Sequence, residues 1–496
     1  MGDAAGNRTQ EVNSGERKNW GDNRSRSAEG FLLLRQRLGK PGRTVSLNID
    51  YNLSDNKIDG NNLSTTEIKS AEPEIDVIDQ YYNQESRTRS LGGRLSYTEP
   101  LGGNFFAEAA YAYNFSRTAS EKNTYDKDGD DDYTILDERY SNVIKNTYIR
   151  QTFRLSLMRQ TEGCRISVGA AYQPASTENI TKVGGETKPI VQNVRNWSPT
   201  VRFDYDINES SSLRVRYRGQ TTQPTITQLQ PIEDNSNPLS ITLGNPNLQP
   251  HFSHNLRSMF FYNNKETFSS MHGNLDVSYK PTSIINAVWT GRSGVTATVP
   301  LEVDKGTFSS NLRFMFNSPI KKSDFSVMSH TSFEYANSMS LIGSQDIDIE
   351  DSSSYLNLSN YQENRYQTLG LSEFFRLTYR TEKIEVTLGD FARLGKSWYQ
   401  IESTEVGANL TNSVSSSVNW TLREVWNLIT DCRYTFYKGY SAAFNDPTFV
   451  WNAEIQKQVF KRKATVALKC FDILNQSRNT YRTITDNYIQ DVRNNT

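Results

Sequence analysis

The chain has 496 residues, of which 35% are hydrophobic and 11% aromatic, with 55 basic residues against 56 acidic ones. A net charge of -1 gives no support to nucleic-acid binding, which requires a basic surface. The mean hydropathy of -0.67 would suit a disordered chain, but disordered chains are poor in aromatics and this one has 26 Tyr and 23 Phe. Strands that alternate apolar and polar residues explain both the low mean hydropathy and the high aromatic content, because the mean over such a strand hides its apolar face.

The N-terminal part of the sequence is polar. Residues 1–27 are predicted to be a flexible or loop segment, and residues 28–496 are predicted to form one barrel domain. Met1 to Gly30 contains no apolar core of a signal peptide, so either export is the wrong interpretation or the natural chain begins upstream. No run of about 18 apolar residues occurs, which excludes a transmembrane helix but leaves a membrane-spanning barrel open.

Period-2 alternation is the main structural signal along the chain. In the first clear case Val45, Leu47, Ile49, Tyr51 and Leu53 alternate with polar residues, as a half-buried strand requires. Similar runs follow at 105–115, 166–172, 201–207, 213–217, 375–379, 384–388, 426–436, 449–455 and 464–470. The sequence therefore predicts an all-β fold.

Short polar turns and long polar loops follow one another in regular alternation. The predicted short turns are 39–42, 99–103, 161–163, 208–212, 263–266, 318–323, 381–382, a turn near Arg423, and 461–463. The predicted long loops are 118–146, 174–197, 221–251, 337–364 and 475–495. Membrane barrels have short periplasmic turns and long extracellular loops. About nine short turns predict roughly eighteen strands of the ~9–11 residues that a bilayer needs. The predicted fold class is therefore a large transmembrane antiparallel β-barrel.

Three arginines on one strand indicate which face meets the lipid. Arg214, Arg216 and Arg218 alternate with Leu213, Val215 and Tyr217, so they share a face. One basic residue facing lipid at mid-depth costs about 2–4 kcal/mol. We therefore expect the arginines to point into the lumen. If the short turns are periplasmic, the first clear strand runs from the cell exterior towards the periplasm, and the last loop lies outside the cell. We therefore expect further strands before and after the chain.

The segment after this strand carries a family resemblance. Gln223-Pro224-Thr225-Ile226, Gln228-Leu229-Gln230-Pro231, Gly244-Asn245-Pro246-Asn247-Leu248-Gln249-Pro250 and Cys470-Phe471-Asp472-Ile473-Leu474-Asn475-Gln476 together resemble the Bacteroidetes outer-membrane β-barrel family of TonB-dependent receptors. The resemblance implies a barrel of about 22 strands, a plug, an energy-coupling segment and nutrient import. In this chain the resemblance covers only the barrel portion, without plug, coupling segment or closing strand, so the chain could not couple energy by itself.

Few residues suggest chemistry. The acidic run from Asp126 to Asp132 could bind Ca²⁺, but its sixth position is Asp131 where an EF-hand loop has Gly, so a solvated loop is the preferred interpretation. His251 and His254 lack neighbouring ligands at metal-site spacing, as do His272 and His330. The cysteines, Cys164, Cys432 and Cys470, form no CxxC motif, and no GxSxG elbow occurs. We therefore predict no catalytic, cofactor or metal site.

Aromatic residues are assigned to membrane interfaces or to ligand contact. We interpret Trp289, Trp398, Trp420, Trp426 and Trp451 as girdle residues. Tyr361 and Tyr366 could instead stack on a ligand such as a sugar. No substrate-binding residue is assigned individually.

The preferred function is a TonB-dependent receptor or transporter in the Gram-negative outer membrane that imports a nutrient. Its partners would be outer-membrane lipid, the TonB energy-coupling system through a plug, and a surface lipoprotein. The alternative is a structural or adhesive barrel that anchors surface loops without transport. A plug and coupling segment encoded upstream would favour transport.

Overall fold

A computed structural model describes residues 13–68, 74–129, 132–183, 186–229, 240–290, 296–344, 346–348, 351–401, 407–440, 444–484 and 489–495. Strands dominate these residues. The helices are α1 (Ile226–Leu229), α2 (Ser352–Tyr355) and a 3-10 helix (Leu358–Asn360). Within the described ranges, no helix is both long and apolar enough to cross a membrane.

The strands, in chain order, are β1 (Asn13–Arg37), β2 (Thr44–Ile68), β3 (Glu74–Gly102), β4 (Phe105–Lys127), β5 (Tyr133–Leu136), β6 (Asn142–Gln160), β7 (Cys164–Val183), β8 (Glu186–Asn208), β9 (Ser211–Thr222), β10 (Ser240–Thr242), β11 (His251–Asn264), β12 (Ser269–Lys280), β13 (Ser283–Thr290), β14 (Thr296–Val303), β15 (Thr307–Pro319), β16 (Phe325–Gly343), β17 (Tyr361–Arg380), β18 (Ile384–Tyr399), β19 (Asn409–Leu422), β20 (Trp426–Lys438), β21 (Thr448–Val459), β22 (Ala464–Cys470), β23 (Arg478–Ile484) and β24 (Ile489–Asn495).

One sheet of 22 strands contains all of these except the separate β23–β24 hairpin. Leaving out the short or peripheral strands β5, β10, β13 and β14, the other eighteen form an antiparallel wall in which each strand pairs with the next. This confirms the predicted fold class and the predicted strand number. In the part of the chain that the structure describes, β1 pairs with β2 alone and β22 with β21 alone.

The short turns lie where the sequence predicts them. The first separates Arg37 from Thr44, and Gly39 and Gly42 adopt positive φ there, which side chains with a Cβ disfavour. The other eight connect β3–β4, β6–β7, β8–β9, β11–β12, β15–β16, β17–β18, β19–β20 and β21–β22. These nine short turns therefore lie at one rim of the wall. The long connections lie at the other rim, together with the short connection between Val183 of β7 and Glu186 of β8.

Strands extend further towards the long-connection rim than predicted. β1 starts at Asn13, so residues 13–27 lie in a strand instead of a separate loop segment, while residues 1–12 are outside the described ranges. The predicted loop 174–197 is largely strand, since β7 continues to Val183 and β8 starts at Glu186. Beyond the membrane both strand faces are wet, so backbone pairing continues without the apolar alternation that sequence reasoning detects.

The outer face of the wall is apolar and exposed. Leu95, Leu155, Val168, Val201, Leu312, Leu371, Leu388 and Val414 all have large exposed fractions. Each alternates along its strand with residues of the opposite face. In water such an exposed apolar surface would be unfavourable, but it matches the hydrocarbon layer that a membrane barrel contacts. The carboxylates of Glu373 and Asp390 share this face, and each accepts hydrogen bonds from neighbouring strands.

A second layer lies at the rim with the long connections. β13 and β14 form a hairpin that also pairs in parallel with β16 and with β10, respectively. Their side chains form a buried cluster with Met339, Leu341, Ile347 and Tyr361. The cluster is the main apolar core among the described residues, because the wall itself buries few apolar side chains.

Candidate functional site

The three arginines of β9 lie on the inner face of the wall, as predicted. Arg216 and Arg218 line a cavity of about 1300 Å³ formed by adjacent strands from β9 to β19. Tyr217 lies opposite Val201, an exposed residue of the outer face, so the neighbouring arginines must point inward. The energetic argument from the sequence therefore gave the correct orientation.

The cavity is rich in positive charge. Its inward-pointing charged side chains comprise five arginines and two acids: Arg216, Arg218, Arg257, Arg313, Arg393, Asp276 and Glu334. Polar uncharged residues such as Gln220, Asn255 and Thr411 complete the lining. The arrangement favours anions over cations.

Sheet register brings arginines together that are distant in sequence. Arg216 lies directly opposite Arg202 on one side and Arg257 on the other. Arg202 Nε lies 2.6 Å from Asp204 Oδ2, and Arg257 Nε lies 2.5 Å from Asp276 Oδ1. Arg216 lies between these ion pairs and, among the described residues, has no carboxylate partner of its own.

The second acid of the cavity is also engaged. Glu334 Oε1 accepts a hydrogen bond of 2.9 Å from Asn311 Nδ2, and Asn311 Oδ1 accepts one of 2.8 Å from Arg313 Nε. Asn311 and Glu334 lie opposite each other in register, and Arg313 lies two residues from Asn311 on the same strand. The cavity therefore contains ordered polar side chains whose positive charge exceeds its negative charge.

The proline-rich segment that carries the resemblance is ordered at the rim with the long connections. Asn245 Nδ2 donates to the Pro300 carbonyl of β14 at 3.0 Å, and the Asn245 backbone N–H donates to the Gln228 carbonyl of α1 at 2.8 Å. Leu248 is 1% exposed. The segment is thus an ordered clamp between α1 and the β13–β14 hairpin.

Asn245→Ala should release this clamp, because it removes the bond to Pro300 and the acceptor of the Asn247 N–H. Losing buried hydrogen bonds of this kind costs about 1–3 kcal/mol. We expect faster hydrogen exchange in residues 244–250, with wall strands such as β18 unchanged. Asn247→Ala is the matched control, since Asn247 contributes backbone bonds only. Equal exchange in both variants would contradict the assigned clamp.

A neighbouring rim segment is capped by Asp351. Asp351 Oδ1 accepts hydrogen bonds from the Ser353 hydroxyl at 2.8 Å and from the Ser353 N–H at 2.9 Å. These bonds favour the ionised form and hold the pKa of Asp351 below its ordinary value. The cap orders the chain ahead of β17.

The aromatic predictions have mixed outcomes. Trp398, Trp420 and Trp451 are exposed on the outer face, as girdle residues must be, and Trp426 is half-buried. Trp289 is only 2% exposed, so its assignment to the girdle is wrong. The reason is that β13 leaves the wall and packs its side chains into the rim cluster.

The two tyrosines considered for ligand stacking are already in contact with protein. Tyr361 is buried in the same cluster, and its hydroxyl donates to the Tyr355 carbonyl at 2.7 Å. Tyr366 stacks on Tyr399 with ring centroids 6.0 Å apart. Tyr361 therefore serves the rim core instead of a ligand.

The residues considered for metal binding do not converge. No group of three or more His, Cys, Asp or Glu arranged for a metal occurs in the described part of the chain. His254 Nδ1 lies 2.9 Å from the Tyr217 hydroxyl on the outer face. Of the acidic run, residues 130 and 131 lie outside the described ranges, and Asp128 accepts bonds from Asp132 and Thr134.

A model of a known protein family matches most of this chain. The model of the outer membrane protein beta-barrel family matches residues 36–389 and 393–496. Among solved structures, the copper transporter OprC is 12% identical, with 84% of this chain and 75% of that chain covered and a TM-score of 0.45. YddB, an outer membrane transporter from Escherichia coli, is 10% identical, with 92% and 72% covered and a TM-score of 0.41. The RagAB peptide importer in its closed-closed state is 10% identical, with 87% and 69% covered and a TM-score of 0.39.

At sequence identities of 10–12%, the ligands and partners of these three proteins are not assigned to this chain. Among curated proteins, none matches the sequence of this chain. The family match starts at the end of β1 and covers the wall from β2 to β22 except for residues 390–392, and it agrees with the apolar outer face and polar inner face. The chain therefore belongs to the outer membrane protein β-barrel family and is located in the Gram-negative outer membrane.

Proposed function

We propose that the chain forms the barrel of a TonB-dependent receptor of the Bacteroidetes kind, which imports a nutrient across the outer membrane. The cavity on the inner face carries this proposal. Its volume of about 1300 Å³ exceeds the roughly 300–1,000 Å³ of common small-molecule pockets. A nutrient would bind at the rim, enter this cavity and pass along the polar inner face. The proposal assigns no catalytic role to the chain.

The proposal includes partners. A plug would fill the lumen and connect it to the TonB energy-coupling system, and a surface lipoprotein would deliver or retain the nutrient at the rim with the long connections. The ordered clamp and hairpin at that rim support this, because a partner that docks there needs a defined surface.

The charge of the inner face also favours import over simple anchoring. Like charges directly opposite each other on neighbouring strands destabilise a sheet. The row Arg202, Arg216, Arg257 is such an arrangement, and only its two outer members are paired with carboxylates, those of Asp204 and Asp276. A barrel that only anchors surface loops has no use for such destabilising like charges. In a transporter, the same charges form a face that can bind a ligand.

Blocking the lumen tests the proposal. Gly370 and Gly395 lie opposite each other and both line the cavity. We expect the double variant Gly370→Trp/Gly395→Trp to abolish uptake, because two indoles would project into the cavity. Uptake is measured as depletion of nutrients from a defined medium by cells whose own copy of the gene is deleted and replaced by the variant.

Leu371→Trp is the matched control, because it adds an indole to the exposed outer face one residue away. This variant should sustain normal uptake, and the amount of each folded barrel is checked by heat-modifiability. Collapsing the proton-motive force should stop uptake by the wild type. Normal depletion by the blocked variant, or a deletion strain that loses only surface adhesion, would instead establish the anchoring function.

A further inference from the structure

We infer that the imported ligand is an oligoanion, a compound with two or more carboxylate, phosphate or sulfate groups, and that it binds at Arg216 and Arg218. This inference rests on the proposed import function and names its substrate class. It follows from the balance of charge on the inner face, from the register of the arginines and from the chemistry of the guanidinium group.

The wall leaves specific positive charges without compensation. Asp276 already pairs with Arg257, and Glu334 already accepts from Asn311. Arg214 lies over the Phe261 ring, 5.3 Å from its centroid. Among the described residues, Arg216 and Arg218 have no such partner although both line the cavity. An anion supplied from outside the wall would neutralise them.

The spacing of these groups suits more than one anionic group. Arg216 and Arg218 are two residues apart on one strand, which separates them by roughly 6–7 Å. Arg257 lies on the neighbouring strand, about 5 Å from Arg216 across the sheet. Guanidinium groups bind carboxylate and phosphate in bidentate geometry. A ligand with two or more anionic groups could therefore engage neighbouring arginines simultaneously.

The inner face contains further arginines on other strands of the same cavity. Arg313 and Arg393 line the same cavity on β15 and β18. The distance from Arg216 to Arg393 spans six strand spacings, roughly 30 Å along the wall. A row of positive charge in a lumen with low-dielectric walls focuses the field and raises the local concentration of anions. Arg393 would accordingly bind only a longer oligomer, or a ligand in transit.

Binding to the purified full chain in nanodiscs tests the inference. The probes are inositol hexakisphosphate, an oligogalacturonate and, as the neutral control, maltohexaose, measured by titration calorimetry at two salt concentrations. We expect at least one anionic probe to bind and maltohexaose not to bind. Arg216→Gln/Arg218→Gln should weaken that binding about 100-fold, since a hydrogen bond to a charged group contributes about tenfold or more.

The matched control is Lys321→Gln/Lys461→Gln, which removes two positive charges at short turns and should leave affinity unchanged. Equal binding of maltohexaose, or equal weakening by both double variants, would overturn the inference. Failure of both anionic probes to bind would also overturn the inference. Protection of Arg216 and Arg218 from phenylglyoxal in that case would show that polypeptide covers this face. If an anionic probe binds but the lumen-blocked variant still takes up nutrients normally, the proposed import function is wrong and the anion site stands. If the lumen-blocked variant loses uptake but no anionic probe binds, the import function stands and the oligoanion is the wrong substrate class.

Discussion

Leu155→Arg should prevent stable insertion of the barrel, with a loss of about 2–4 kcal/mol in the free energy of unfolding. Leu155 is 72% exposed on the outer face and lies five residues from the turn end of β6. Since a strand crosses the bilayer in ~9–11 residues, this position is near mid-depth. A guanidinium there would face hydrocarbon. The measurement is denaturant-induced unfolding from lipid vesicles, followed by heat-modifiability on gels.

Ser156→Arg provides the matched control, because Ser156 points to the inner face directly opposite Glu108. The same side chain added one residue away should therefore be tolerated, with a change in unfolding free energy close to zero. Equal destabilisation by the two variants would show that the faces of the wall are wrongly assigned. The fold itself would then need revision, including the orientation of Arg216.

Trp289→Ala should unfold the rim cluster while leaving the wall intact. Trp289 is among the largest fully buried side chains of the described residues, and removing such a residue typically costs 3–5 kcal/mol. The β13–β14 hairpin depends on this cluster, because its parallel contact with β16 is only two residue pairs long. We expect rapid proteolytic cleavage within residues 283–303, detected by mass spectrometry, and an unchanged gel shift of the barrel.

Trp420→Ala removes the same side chain from the outer face, where it is 43% exposed. That variant should leave the hairpin resistant to protease. If instead the Trp289 variant fails to insert at all, the cluster would be part of the wall's own stability and the two-layer description of the rim would be incorrect.

The sequence predicted the wall well because lipid and lumen impose opposite demands on alternate residues. Each predicted short turn, from 39–42 to 461–463, lies between two wall strands in the structure. Beyond the membrane the alternation fades, and the loop predicted at 174–197 proved to be a hairpin of β7 and β8. Apolar periodicity detects a strand only where one of its faces contacts an apolar environment, so a strand with two wet faces is missed.

The site was predictable only in part. The alternation around Arg214 to Arg218 gave the direction of these side chains, because lipid exposure of three arginines is prohibitive. Their encounter with Arg202 and Arg257 depends on register between strands, which a local pattern does not determine. The misassigned Trp289 has a similar cause, since no local signal distinguishes a tryptophan of a second layer from one of a membrane interface.

The bond from Asn245 to Pro300 ties together two external connections that are separated by β11 and β12 in the chain. The backbone bond from Asn245 to Gln228 and the pairing of β10 with β14 join α1, the Gly244–Pro250 segment and the β13–β14 hairpin further, so a displacement of one strains its contacts with the others. A movement that widens the mouth of the barrel here must either carry these segments together or break the hydrogen bonds between them. Because the β13–β14 hairpin also packs on Met339 and Leu341 of β16 and on Tyr361 of β17, opening the mouth of the barrel at this point would expose part of the buried rim cluster.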